Sequence, residues 1–187
     1  VVGAQGDIGS QGVAGADGAG GGAIIPFASG SSTTINTGET ESGPIIGFGS
    51  SFSGIDLFSG TIDLTGGVSS AINYAFSVPR SGTITAISAY FSTTSALALV
   101  GTTVTVTAQL YRSTTPDNTF SPVAGTLVNL SPALTGVIAI GTVSNGLITG
   151  LSIPTSSEDR LVLVFSATAS GVSLINHPFV EYPKSEC

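Results

Sequence analysis

Residues 103–111 read Thr-Val-Thr-Val-Thr-Ala-Gln-Leu-Tyr, and residues 161–165 read Leu-Val-Leu-Val-Phe. In the first stretch Val104, Val106, Ala108 and Leu110 alternate with Thr103, Thr105, Thr107 and Gln109. A period of two is that of a strand with one buried and one polar face. β-Branched side chains lose χ1 freedom in a helix and fit a pleated surface, which points the same way. The second stretch does not alternate, so it reads as a central strand covered on both faces, by the opposite sheet and by a subunit contact.

Working outward, the same pattern gives candidate strands at 24–28, 44–48, 55–64, 72–78, 83–92, 126–130, 137–143, 147–153, 160–169 and 172–176. Turn-forming clusters separate them: Arg80-Ser81-Gly82, Thr115-Pro116-Asp117-Asn118, Ser144-Asn145-Gly146 and Ser156-Ser157-Glu158-Asp159. Asn145-Gly146, set between two apolar runs, is the strongest hairpin signal. Many short strands with frequent turns suit an all-β sandwich or barrel.

The composition agrees. Hydrophobic residues make up 41% of the 187 and charged residues 8%, with no Met or Trp and a single Cys. So few charges leave Ser, Thr, Gly and apolar atoms to face water, which argues that other subunits cover part of the surface. A net charge of −7, with only 4 Lys and Arg scattered as Arg80, Arg112, Arg160 and Lys184, argues against nucleic acid as a partner. Apolar runs are broken by Gly, Ser or Thr every few residues, so membrane insertion as a helix is not expected. The single cysteine, Cys187, rules out an intrachain disulfide within these residues; at the last position it is expected to be dispensable for folding, with a bridge between chains or to another surface component as its candidate role.

Residues 1–22 differ in kind. Gly3, Gly6, Gly9, Gly12, Gly15, Gly18 and Gly21 recur with period three, the register of a collagen-like triple helix, where only glycine fits at the axis. Val1 and Val2 read as the end of an earlier triplet. No proline occupies the other two positions, so this stalk should be triple-helical only with help, and otherwise disordered. The expected organisation is therefore a stalk over 1–22 and a β head over 23–187. Because the stalk needs three chains, a homotrimer is expected.

Several blocks in order resemble the C-terminal part of BclB-type exosporium glycoproteins of spore-forming bacteria. They are Gly22-Ala23-Ile24-Ile25-Pro26-Phe27-Ala28-Ser29-Gly30, Gly47-Phe48-Gly49-Ser50-Ser51, Gly60-Thr61-Ile62-Asp63-Leu64-Thr65-Gly66, Tyr90-Phe91-Ser92-Thr93-Thr94, Ala108-Gln109-Leu110-Tyr111, and residues 161–169. The resemblance implies a homotrimeric jelly roll, similar to complement-type and tumour-necrosis-factor-like heads, on a collagen-like stalk at the spore surface. It implies a structural role, nucleating and capping a fibre attached to exosporium or appendage proteins. The rival is an adhesive or receptor-binding head with a host or glycan ligand. The tail over 176–187 departs from the family pattern.

Catalytic chemistry finds little to work with: one His, one Cys and no zinc, phosphate-loop or nucleophile-elbow motif. No enzyme, cofactor or metal is expected. His177 reads as an exposed or packing residue. Asp117-Asn118 and Glu158-Asp159 could supply oxygens to calcium but are better read as turn openers. Asp56 and Asp63 read as exposed strand-end residues, Glu39 and Glu41 as solvated loop charges. Asn129-Leu130-Ser131 matches a glycosylation pattern inside a strand, where chance explains it. Tyr74, Tyr90, Tyr111 and Tyr182 are dispersed and mark no ligand patch.

Overall fold

A computed structural model describes residues 22–37, 42–65 and 73–171. The stalk glycines Gly3 to Gly21, Glu39, Glu41, the candidate strand 172–176, His177, Tyr182 and Cys187 lie outside the described residues. The described chain is all-β: β1 (Ser42–Ile46), β2 (Ser51–Asp56), β3 (Ile62–Asp63), β4 (Phe76–Ser77), β5 (Gly82–Ser92), β6 (Leu97–Ser113), β7 (Thr119–Pro122), β8 (Val128–Asn129), β9 (Leu134–Ile138), β10 (Val143–Thr155) and β11 (Arg160–Gly171). Among these residues no helix is long and apolar enough to cross a membrane.

The strands form two sheets. The larger runs β2-β1-β11-β6-β7-β3, with β4 also on β11 and with β8 and β9 on β6. The smaller is the antiparallel pair β5 and β10. The two stretches that opened the sequence reading are neighbours, since β6 and β11 pair antiparallel from Ser113↔Arg160 to Thr102↔Gly171. Val104, Val106, Ala108 and Leu110 on β6 join Leu161, Leu163, Phe165 and Ala167 on β11 in the main core. Ala89 and the half-buried Ile84, Ile87, Phe91, Ile148 and Ile153 of the smaller sheet close that core. Each fully buried Val, Leu, Ile or Phe side chain stabilises by about 1.5–3 kcal/mol, so this layer dominates the fold.

β11 is covered on both faces, as its unbroken apolar run requires. The cover on the second face differs from expectation. Val162 and Val164 pack with Ile45, Ile55, Leu57, Ile62, Leu64, Tyr111 and Phe120 of the same chain, so no subunit contact is needed there. The chain achieves this by folding the segment after β2 back under the sheet, where β3 pairs with β7.

Four sequence expectations are corrected. Asn145-Gly146 is not a hairpin turn: both residues lie inside β10, opposite Tyr90 and Ala89. The glycine serves close approach instead, because a Cβ at 146 would sit 2.6 Å from Val128 Cγ1 and 2.9 Å from the Asn129 carbonyl oxygen. Residues 24–28 make only a single bridge, Ala28 to Phe48. The stretch 55–64 is interrupted after Asp56, whose Oδ1 accepts from the Phe58 N–H at 2.9 Å and opens a turn. The stretch 137–143 is likewise two strands, split where Gly141 takes φ +80° and the Thr142 N–H donates to the Ala139 carbonyl at 3.2 Å. β6 also begins earlier than its alternation, at Leu97.

Candidate functional site

The smaller sheet presents an uncovered face. Residues directly opposite in an antiparallel pair point to one side, and Ile87, Ala89 and Phe91 point into the core. The outer face is therefore built from Ala86, Ser88, Tyr90 and Ser92 opposite Thr149, Leu147, Asn145 and Val143. Tyr90 and Leu147 are about two-thirds exposed, at 65% and 67%. Neither β5 nor β10 carries a charged residue. A second uncharged face lies on the larger sheet, where Thr103, Thr105 and Thr107 stand opposite Ser170, Thr168 and Ser166. There the Thr107 and Ser166 hydroxyls lie 2.7 Å apart. At its margin Val137, opposite Ala98, is 86% exposed.

Beside the first face, a cleft of about 720 Å³ opens between residues 27–33 and the segment from Ser88 to Thr94. Ile35, Ile46, Leu163 and Phe165 lie among its apolar lining, and Ser29, Ser31, Ser32, Thr33, Ser92 and Thr94 supply hydroxyls. Among the described residues Tyr90 is the one titratable side chain in this lining. Such a cleft can bury apolar surface and exchange hydrogen bonds with a neutral, hydroxyl-bearing or extended partner, and its described residues offer no carboxylate or imidazole for proton transfer.

The charged residues gather elsewhere, at the turns that end β6 and begin β11. Asp117 Oδ1 accepts from the Ser113 hydroxyl at 2.7 Å and the Thr119 N–H at 2.9 Å. The Ser113 hydroxyl, then the Thr119 N–H, then the Arg160 charge hold the Asp117 carboxyl below its ordinary value of 3.8. Arg160 donates to the Asn118 side-chain oxygen at 2.9 Å and to the Asp117 carbonyl, and its guanidinium lies 5.4 Å from the Phe120 ring centroid. Asp159 is buried, with Oδ2 accepting from the Ser156 N–H at 2.9 Å and lying 3.6 Å from Arg112 Nη1. Glu158 adopts φ +72° in the same turn. Asp117 thus opens its turn, as the turn-opener reading expects, whereas Asp159 closes the turn that Ser156 begins. Among the described residues no group of three His, Cys, Asp or Glu is placed to hold a metal ion.

Of the remaining candidates, Asp63 on β3 stands opposite Thr119, beside the Asp117 turn. Asp56 and Asp63 are exposed, and each opens its own turn. The Thr65 hydroxyl and then the Thr65 N–H lower the Asp63 carboxyl. Tyr111 is buried, Tyr74 packs edge-on against Phe52 at 6.4 Å, and Tyr90 alone of the described tyrosines joins an open surface. Asn129 lies exposed on β8 beside buried Leu130. Several cleft residues, Ser29, Tyr90 and Thr94 among them, stand out in the sequence only as parts of the family blocks and not as a site. The available signal was the absence of any charge across both β5 and β10.

Comparison with known proteins gives one informative likeness. Collagen-like protein 1 of Acanthamoeba polyphaga mimivirus is 34% identical over 158 residues, 80% of this chain and 17% of the relative. An alignment of that length exceeds the 22 residues of the glycine repeat many times over, so the likeness includes the β head. It supports a relationship to collagen-like proteins. No protein-family model matches the chain, and no solved structure matches it.

Proposed function

We propose that this chain is the head of a homotrimeric, collagen-like surface fibre, a structural protein without catalytic activity that brings three stalks together and caps them. The observation that carries the reading is the join: seven glycines at period three run directly into an all-β head with charge-free sheet faces. Collagen geometry needs three chains, and faces such as that of Tyr90, Leu147 and Val143 are suited to subunit contact. A jelly roll is the form of head we propose. The nested pairings β1 with β11, β5 with β10, and β6 with β9 support it, since a jelly roll winds paired strands inside one another. The likeness to a collagen-like protein supports a structural, extracellular role. For location we propose the spore surface, with exosporium or appendage proteins as partners and Cys187 as a bridge between chains, on the family resemblance of the sequence blocks. Light scattering on the full chain tests the assembly. Three times 18.4 kDa, independent of concentration, is expected, and 18.4 kDa would overturn it.

The cleft favours a second reading, an adhesive head. Its apolar lining and hydroxyl groups fit a neutral glycan or an extended peptide better than a charged ligand. A glycan array probed with the intact protein distinguishes the readings, because a purely structural head gives no saturable binding.

A further inference from the structure

The root of the stalk carries apolar residues that the single chain leaves in water. Gly21 is the last glycine of the repeat, and Ala28 bridges to Phe48 in the head. The Ala28 N–H donates to the Gly47 carbonyl and the Gly49 N–H to the Ala28 carbonyl, both at 2.9 Å. Between them run Gly22-Ala23-Ile24-Ile25-Pro26-Phe27. Ile25 and Phe27 pack against the main core, whereas Ile24 is 91% exposed. Three residues after Ile24, the Phe27 ring lies tilted against Phe48 with centroids 5.5 Å apart, and Phe48 is itself 52% exposed and 5.8 Å from Phe76.

A triple helix brings the glycines of its three chains to one axis. Ile24 follows Gly21 by three residues, a reach of about 10 Å at most. Resting on the trimer reading, we infer that Ile24 and Phe48 of one chain meet the same residues of two other copies, forming an apolar plug where stalk becomes head. The occupant is this chain itself, because in a trimer of these chains each root carries the same collagen-like repeat, ending at Gly21, and the three roots share one axis. Burying Ile24 there holds the three chain starts together in a fixed register, which is the condition a stalk without proline needs in order to wind. No charged residue lies between Gly21 and Ala28 to oppose the approach.

Two variants of the full chain test this. The protein has no Trp, so Ile24→Trp places a single reporter at the root. Its emission should be blue-shifted and shielded from iodide. In a Cys187→Ser background, Ile24→Cys should form disulfide-linked dimers under mild oxidation, up to about two-thirds of the chains, since three thiols at one axis allow one bond. Ile24 stands outside the packed core, so the head should fold with either residue in its place. If light scattering gives a trimer while the Trp emission is water-like or the cysteines stay unlinked, the plug is overturned and the trimer stands. A monomeric mass overturns both.

Discussion

Gly43 shows how closely two strands of this fold approach. A Cβ at that position would lie 2.0 Å from the Phe165 carbonyl oxygen, deep inside contact distance, so Gly43→Ala must drive β1 away from β11. The expected loss is about 3 kcal/mol or more by denaturant unfolding, at the severe end for a single methyl. A loss under about 0.5 kcal/mol would show that the two strands separate freely. Asp117 and Asp63 act differently, through pH. Both are held below the ordinary value of 3.8, Asp117 chiefly by the Ser113 hydroxyl and Asp63 by the Thr65 hydroxyl. With the folded value depressed, the contribution is complete above the unfolded value and is lost as pH falls below it towards the folded one. Melting temperature should therefore hold steady above the ordinary carboxylate range and drop below it, and Asp117→Asn should make that acid limb shallower. Unchanged acid limbs in both Asp117→Asn and Asp63→Asn would remove these carboxylates from the account.

Among the elements, β11 decides most. Val162 is 0% exposed and Leu161 1%, on opposite faces of one strand, so both faces should behave as core. Val162→Ala should cost about 2 kcal/mol and Leu161→Ala about 3, read from denaturant midpoints at unchanged slope. A neutral Val162→Ala would mean that the segment after β2 does not seal its side. This strand and β6 were legible in the sequence, because the polar and apolar periods of 103–111 and 161–165 belong to the strands themselves. Gly146 was not legible, because a turn and a close strand crossing favour the same residue and only the partner, Val128, distinguishes them. The charge-free outer face could be foreseen as composition but not as a surface. Its cleft arises only when residues 27–33 are laid beside β5, a juxtaposition that no local period encodes.

At the scale of the whole molecule the open question is which part assembles the other. Six triplets without proline must first bring three chains into register, and the lost translational and conformational freedom exceeds what so short a helix returns. Heads that associate through uncharged faces such as that of Tyr90, Val143 and Leu147 would hold the chain starts together at high effective concentration. Such contacts are uncharged, so the assembly should survive high salt, unlike one held by ion pairs. Deleting residues 1–22 should then leave a trimer by light scattering with a nearly unchanged thermal transition. A peptide of residues 1–22 should show no cooperative collagen-type transition in circular dichroism at room temperature. The plug at Ile24 is consistent with this order, because it can form only after the heads have brought three roots together. If the shortened head falls to monomers, or the isolated peptide trimerises, then the stalk specifies assembly and the head merely follows it.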